Sequence, residues 1–184
     1  MNAIETLSNE HGLIRQYLDN LAMAIERIEQ GQRPPREFFD KAAEFARAFA
    51  DKFHHFKEEH ILFTLLAQKH SGEIDAQLET LRHQHERGRS LVAAWARAID
   101  GYAAGDPQKT DELLESLAAH IALLRRHIHI EDHVFYPLAK KTLSEEEFKA
   151  LEEEFEKERK RQGERTFEQC HKLVVDMGSL LVHM

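Results

Sequence analysis

The sequence contains little of what strand-and-turn folds or disulfide-bonded proteins need. Its 184 residues include 4 prolines, 8 glycines and 1 cysteine. With Cys170 as the single cysteine, an intrachain disulfide is excluded, and this is consistent with a reducing compartment, which we expect to be the cytoplasm. The scarcity of proline and glycine favours long helices over short strands joined by turns.

Two further absences limit the expected partners. The formal net charge of −8 at pH 7 leaves no basic surplus, so we expect neither nucleic acid nor an anionic membrane as a partner. No apolar run reaches the ~20 residues that a membrane-crossing helix needs. The N-terminal stretch MNAIETLSNEHGLIRQ lacks the basic start and apolar segment of a secretory signal.

Apolar residues recur every three or four positions along most of the chain, which predicts helices throughout. Glycine, proline and capping residues mark five predicted helices over about 2–30, 36–70, 73–104, 106–141 and 144–177. Short connections between long helices imply antiparallel neighbours. The predicted fold is therefore all-α, an up-down-up-down antiparallel four-helix bundle over residues 1–141. Residues 142–184 form an additional C-terminal helix, packed on or beside the same domain.

Histidine is unusually frequent, at 13 positions, and imidazole is the commonest metal-binding side chain. Two histidine-rich segments repeat each other, HHFKEEHILF at 54–63 and HIHIEDHVFY at 127–136. Histidine, two acids, a second histidine, an aliphatic and an aromatic residue share one register. The common element is His-x-x-x-Glu followed by a second acid.

The spacing of this element can direct a histidine and a carboxylate to one metal site. Residues four apart on a helix lie on one face, separated by ~6 Å along the axis. His54 with Glu58, and His127 with Glu131, are such pairs. A carboxylate can bridge two metals, so two copies facing each other can hold a pair of iron or manganese ions.

Two further histidines lie on the apolar stripes of the first and third predicted helices. His11 lies between Leu7 and Ile14, and His85 shares a stripe with Leu78 and Leu81. The predicted metal ligands are thus His11, His54, Glu58, His85, His127 and Glu131. Two choices of register stay open, which are His55 with Glu59 in place of His54 with Glu58, and Asp132 in place of Glu131.

The pattern H…HxxxE…H…HxxxE resembles that of the hemerythrin-like family, also called the HHE cation-binding domain. The resemblance covers roughly residues 4–140 and is carried by Glu10-His11 with Ile14, HHFKEEHILF, HERGR at 85–89 and HIHIEDHVFYPLA. It implies two iron ions, Fe2+ or Fe3+, with zinc or manganese as substitutes. It also implies the ligand sets: His11 and His54 on one iron, His85 and His127 on the other, and Glu58 and Glu131 as bridges.

The chain departs from the oxygen-carrying hemerythrins at two positions. Arg89 stands where they have a further histidine, and Asp132 occupies the position of their fourth-helix carboxylate, beside Glu131. A missing histidine leaves one iron with an open coordination position, or with water or another acid in it. The resemblance then implies binding of, or reaction with, O2, peroxide or NO in an iron, oxidative or nitrosative stress response. No acid–base residue beyond the ligands stands out, so enzyme activity is left open.

Two other interpretations compete with a reactive di-iron protein. One is an iron-responsive regulatory or storage module whose metal-dependent stability is read by a partner protein. The charged segment 145–165 of the C-terminal helix is the predicted surface for that partner or for a homodimer. The other is a helical scaffold without metal, which requires the repeat to be accidental.

Overall fold

The computed structural model describes residues 2–182, and these residues form six helical rods without a β-strand. The predicted all-helical class is confirmed. The rods are α1 (Ala3–Glu29), α2 (36–67), α3 (Gly72–Ala104), α4 (107–142), α5 (Glu145–Gln162) and α6 (Thr166–Val182). Within the described range, no helix combines the length and the apolar character that crossing a bilayer requires.

Local capping explains where several rods begin. The Asn2 side chain accepts a hydrogen bond from the backbone N–H of Glu5 in a capping box that opens α1. Asp106 caps α4, in which Pro107 is the first residue, as the sequence predicts. The predicted capping box of Ser144 with Glu147 opens α5.

The prediction of a single C-terminal helix is wrong, because the chain breaks between α5 and α6. Gly163 has a φ of +110°, a conformation that residues with a Cβ rarely adopt. The chain can therefore reverse there, and α6 packs against α1 and α2. Its apolar face joins the main core through Cys170, Val174 and Met177.

α2 and α4 are not uniform α-helices, and both change geometry at the repeated motif. α2 contains π-helical segments over Ala46–His55 and Lys57–Leu62, and α4 contains one over Glu131–Phe135. The backbone N–H of Tyr136, for example, bonds to the carbonyl of Glu131, five residues back. π-Helical turns are rare and frequent at functional sites. They reduce the rotation between successive residues, which helps neighbouring side chains to face the same side.

Apolar side chains form two buried clusters, and the histidines and glutamates of α1 to α4 lie between them. One cluster includes Ile14, Phe49 and Trp95, and the other includes Leu7 and Phe135. Each of the four rods contributes apolar residues to both clusters. The polar layer is therefore enclosed by low-dielectric packing, where unpaired charges are costly.

Candidate metal centre

The structure brings all six predicted ligands into one buried group. None has more than 2% of its surface exposed. The sequence left open whether His54 with Glu58 or His55 with Glu59 faces this group. In the structure, His54 and Glu58 both belong to it. Glu59 and Asp132 lie behind it, in contact with the far sides of two of the histidines.

Two imidazoles define what we call the first metal position. The Nε2 atoms of His11 and His54 lie 3.0 Å apart. Oε2 of Glu131 lies 3.2 Å from Nε2 of His11. With metal–nitrogen bonds of about 2.1 Å at right angles, as in an octahedral sphere, two neighbouring ligand nitrogens are expected about 3 Å apart. The observed separation therefore suits two donors to one cation.

The second metal position is formed in the same way by α3 and α4. Nε2 of His85 and Nε2 of His127 lie 3.0 Å apart. Oε1 of Glu131 lies 3.1 Å from Nε2 of His127, so this carboxylate directs one oxygen to each position. Oε2 of Glu58 lies 3.3 Å from Nε2 of His85 and 3.7 Å from Nε2 of His54, between the two positions.

The outward nitrogen of each imidazole is held by an acceptor from another helix. Nδ1 of His11 donates to Asp132 over 2.9 Å, and Nδ1 of His85 donates to Glu59 over 2.7 Å. Because these carboxylates only accept hydrogen bonds, the proton of a neutral imidazole belongs on Nδ1. Nε2 is then a bare lone pair directed at the centre.

The other two histidines are held by residues that precede the ligands of α1 and α3. Nδ1 of His54 lies 2.8 Å from Oε2 of Glu10, and Nδ1 of His127 lies 2.8 Å from Oε1 of Gln84. Outer contacts of this kind fix the tautomer and the ring orientation of metal-binding histidines. All four Nε2 atoms therefore face inward, and in the neutral imidazoles they are acceptors.

The centre holds an excess of acceptors over donors. Oε2 of Glu58 and both carboxylate oxygens of Glu131 have no hydrogen-bond donor, although they are fully buried. Four inward lone pairs and two carboxylates in a low-dielectric interior require compensating positive charge. Imidazole and carboxylate ligands suit iron, zinc and manganese, so the residues fit a pair of such cations.

Without a metal, protons supply part of that charge. Burial by itself lowers the pKa of His11, but the carboxylates of Asp132 and Glu131 outweigh it and raise the pKa to about 9. The pKa of His85 is raised in the same way by Glu131 and Glu58, against the opposing effect of burial. Burial lowers the pKa of His54 to about 3. In the metal-free centre, His11 and His85 are thus the histidines that hold a proton most readily.

Cations from outside the centre pair with the acids that hold the histidines. Arg15 pairs with Asp132, and Lys57 pairs with Glu10. Arg89 pairs with Glu59 over 2.5 Å and with Asp51 over 2.8 Å. It therefore contacts an acid behind His85 and not a predicted bridging acid.

These outer partners were not predicted from the sequence, although a signal for them exists. His11 and His85 are each preceded by Glu or Gln and followed four residues later by arginine, in EHGLIR and QHERGR. The two segments are a second internal repeat, in α1 and α3, beside the one in α2 and α4. Equivalent residues make equivalent contacts, so the centre has an approximate twofold relation between the α1–α2 pair and the α3–α4 pair.

Aromatic rings follow the same relation. Tyr136 stacks on His11 with 5.5 Å between ring centroids, and Phe63 stacks on His85 with 5.9 Å. The two aromatic residues lie nine positions after His127 and His54 respectively. Only the tyrosine brings a hydroxyl group to the centre.

Beside the second metal position lies a cavity of about 200 Å³. Its lining includes His55, Gly88, Arg89 and His120. His120 is 2% exposed, and neither of its ring nitrogens has a hydrogen-bond partner. The structure therefore places His120 in the core beside this cavity, outside the group of six.

The family model described as the hemerythrin HHE cation binding domain matches residues 2–139. Among curated proteins, similar sequences are an uncharacterized protein of Mycobacterium bovis and uncharacterized proteins of two Mycobacterium tuberculosis strains. Each is 31% identical over 182 residues, which cover 98% of this chain and 71% of the relative. No solved structure matches at a significant level. Because the family model spans the helices that carry the buried histidines and glutamates, the chain belongs to the hemerythrin HHE cation-binding domain family.

Proposed function

We propose that the protein is a non-haem di-iron protein that binds or reacts with O2, peroxide or NO. The observation that carries this proposal is the convergence of four inward-facing Nε2 atoms and two buried carboxylates. His11 and His54 would hold one iron and His85 and His127 the other. Glu58 and Glu131 would bridge them, since Glu131 has an oxygen within 3.2 Å of a histidine at each position.

The arrangement of the helices supports the same proposal. α1 to α4 each supply one histidine, which is the arrangement expected of an up-down-up-down antiparallel four-helix bundle with a metal site in its core. We assign residues 1–141 to this bundle and residues 142–184 to a helical extension on the same domain. Zinc and manganese are expected substitutes, because N/O sites do not favour Fe(II) over Zn(II).

A small exogenous ligand is the substrate class that the centre suits. Counting one oxygen from each bridge, the six predicted ligands supply four donors to each metal, so room remains in an octahedral sphere. Iron, when bound, supplies the redox and ligand-binding chemistry. The protein contributes a buried group of ligands and four imidazoles in fixed orientations. A cytoplasmic role in iron, oxidative or nitrosative stress is the context we propose.

The direct test is anaerobic Fe(II) titration of the metal-free protein, followed by exposure to O2, peroxide or NO. We expect two irons per chain and a ligand-to-metal charge-transfer band in the oxidised form. His127→Phe should lose at least one iron. His133→Phe is the matched control, because His133 belongs to the same repeat but is exposed. Failure of the wild type to bind two irons, or stoichiometric iron that responds to none of the three ligands, would overturn the proposal.

A second candidate function is an iron-responsive module whose iron-loaded state is recognised by a partner protein or by a second copy of the chain. α6 exposes apolar side chains at Phe167 (37%) and Val175 (50%), and α5 is densely charged. In this case iron occupancy would change stability or association without reactivity towards small ligands. Size-exclusion chromatography of the metal-free and iron-loaded protein, combined with ligand exposure, separates the two functions.

A further inference from the structure

His55 is a buried histidine that the six-ligand centre leaves without a partner. It is 6% exposed, and neither ring nitrogen makes a hydrogen bond. Its nearest acid is Asp51, whose Oδ1 lies 3.9 Å from Nδ1 of His55 and accepts a hydrogen bond from Arg89 over 2.8 Å. A buried imidazole without partners is costly, so its position requires an explanation.

The ring of His55 lies against the second metal position. It stacks on His85 with 3.9 Å between ring centroids and 17° between the planes. His55, Glu58, His85 and His127 each have a potential ligand atom within 4.8 Å of the others. A nitrogen donor is therefore present at this position beyond the pair His85 and His127.

The approximate twofold relation of the centre shows that this donor belongs to one side only. His55 follows His54, and the residue that follows His127 is Ile128. Three residues after His85 stands Gly88, and three residues after His11 stands Ile14. Ile14 and Ile128 are buried in the apolar core. One side of the repeat thus has two isoleucines where the other has a histidine, a glycine and a cavity.

We propose that His55 is a fifth imidazole ligand, bound to the metal held by His85 and His127. This inference rests on the proposed two-metal centre. The second metal would then have three imidazoles and two bridging carboxylates, and the first metal two imidazoles and the same bridges. The two metals become inequivalent, and the first metal, beside Tyr136, keeps more open coordination positions.

The test compares His55→Ala with His120→Ala, a matched control that removes the other unpartnered histidine of the same cavity. Metal-free proteins are titrated with Fe(II) anaerobically and with Co(II), in competition with a chromophoric chelator. We expect His55→Ala to weaken one of the two metals at least about tenfold, with His120→Ala unchanged. The Co(II) ligand-field spectrum should change only in the His55 variant, since it reports coordination number and geometry.

Chemical rescue makes the test specific to a lost nitrogen donor. Free imidazole should restore the affinity and the Co(II) spectrum of His55→Ala, because the adjacent cavity gives it room, and should not affect His120→Ala. His55→Phe, which keeps the ring stacked on His85, should lose the affinity without rescue. If His55→Ala unfolds, His55→Phe provides the same comparison.

Two results separate failure of this inference from failure of the di-iron proposal. If both His55 variants bind two metals as tightly as the wild type with an unchanged Co(II) spectrum, His55 is not a ligand, while the six-ligand centre stands. If the wild type binds fewer than two metals, or if His85→Phe leaves binding unchanged, the two-metal centre itself is wrong and the inference fails with it.

Discussion

The hydroxyl of Tyr136 donates a hydrogen bond to Oε1 of Glu58, with 2.5 Å between the oxygens. The same hydroxyl lies 3.5 Å from Nε2 of His11. At the equivalent position of the repeat, Phe63 stacks on His85 without a polar group. This contact therefore distinguishes the first metal position from the second.

Loss of the Tyr136 hydroxyl should destabilise the metal-free protein. A buried hydrogen bond to a charged acceptor contributes about 1.5–3 kcal/mol, so Tyr136→Phe should lower the free energy of unfolding by about 2 kcal/mol. Tyr17→Phe is the control, because the Tyr17 hydroxyl is buried without a partner and its removal should be neutral or stabilising. Chemical denaturation measures both. Equal effects of the two substitutions would contradict the assigned contact.

The buried pair of Lys57 and Glu10 should show strong coupling. Each residue is 3% exposed, and removal of one partner of a buried ion pair typically costs about 3–5 kcal/mol. Lys57→Ile alone should therefore be severely destabilising in the metal-free protein. In the two internal repeats, Gln84 is equivalent to Glu10 and Ile130 to Lys57. The double variant Glu10→Gln, Lys57→Ile therefore has the residues of the other side and should recover much of the lost stability. A double-mutant cycle in denaturant measures the coupling, and purely additive effects would exclude it.

Metal binding should release protons near neutral pH. In the metal-free protein the pKa of His11 is raised to about 9, so this histidine holds a proton below that pH. A metal displaces the proton, and its apparent affinity should rise about tenfold per pH unit for each proton released. The increase should become less steep as pH passes through 9, where His11 loses its proton in the metal-free protein as well. Titrations from pH 6.5 to 9.5 with an indicator dye check this, and an affinity independent of pH below 9 would refute it.

Removal of the metal should lower the stability of the whole helical assembly. A ligand that binds only the folded state stabilises it by about 3 kcal/mol at a free concentration 100 times the dissociation constant. Thermal unfolding with iron, and with chelator, should show a lower Tm in the second case. The His55→Ala and His127→Phe variants should show a smaller difference. An unchanged Tm in the wild type would argue against a metal that binds the native centre.

Alanine substitution at two helical glycines should change the stability of the protein in opposite directions. A Cβ at Gly101 would lie 2.6 Å from Cβ of Lys109, where α3 and α4 approach each other closely. Overpacking of this kind costs about 1–3 kcal/mol. Gly12 has nothing within 4 Å of the added Cβ, so Gly12→Ala should gain about 0.5–1 kcal/mol from helix propensity. Chemical denaturation measures the free energy of unfolding of both variants, and changes of the same sign would disprove the packing argument.

Local periodicity was enough to predict the helices and to select six inward residues. A spacing of four residues on a helix keeps His54 with Glu58, and His127 with Glu131, on one face whatever the rest of the chain does. The predicted all-helical class and the predicted caps at Asp106 and Ser144 agree with the structure. The structure also brings these four residues together with His11 and His85, and their binding of a metal stays a prediction. The break at Gly163 was missed, because a single glycine in a charged segment does not require a turn.

Only the tertiary structure decided which atoms meet across the helices. Contacts such as Glu10 with His54 and Asp132 with His11 join residues 44 and 121 positions apart. They depend on the rotation and axial offset of whole helices, about which a local repeat carries no information. The burial of His55 has the same origin, because the π-helical backbone of α2 and the space left by Gly88 together admit its ring beside His85. The sequence by itself therefore specifies which residues are available to bind a metal. The packing of the helices specifies how many of their nitrogens reach each metal position.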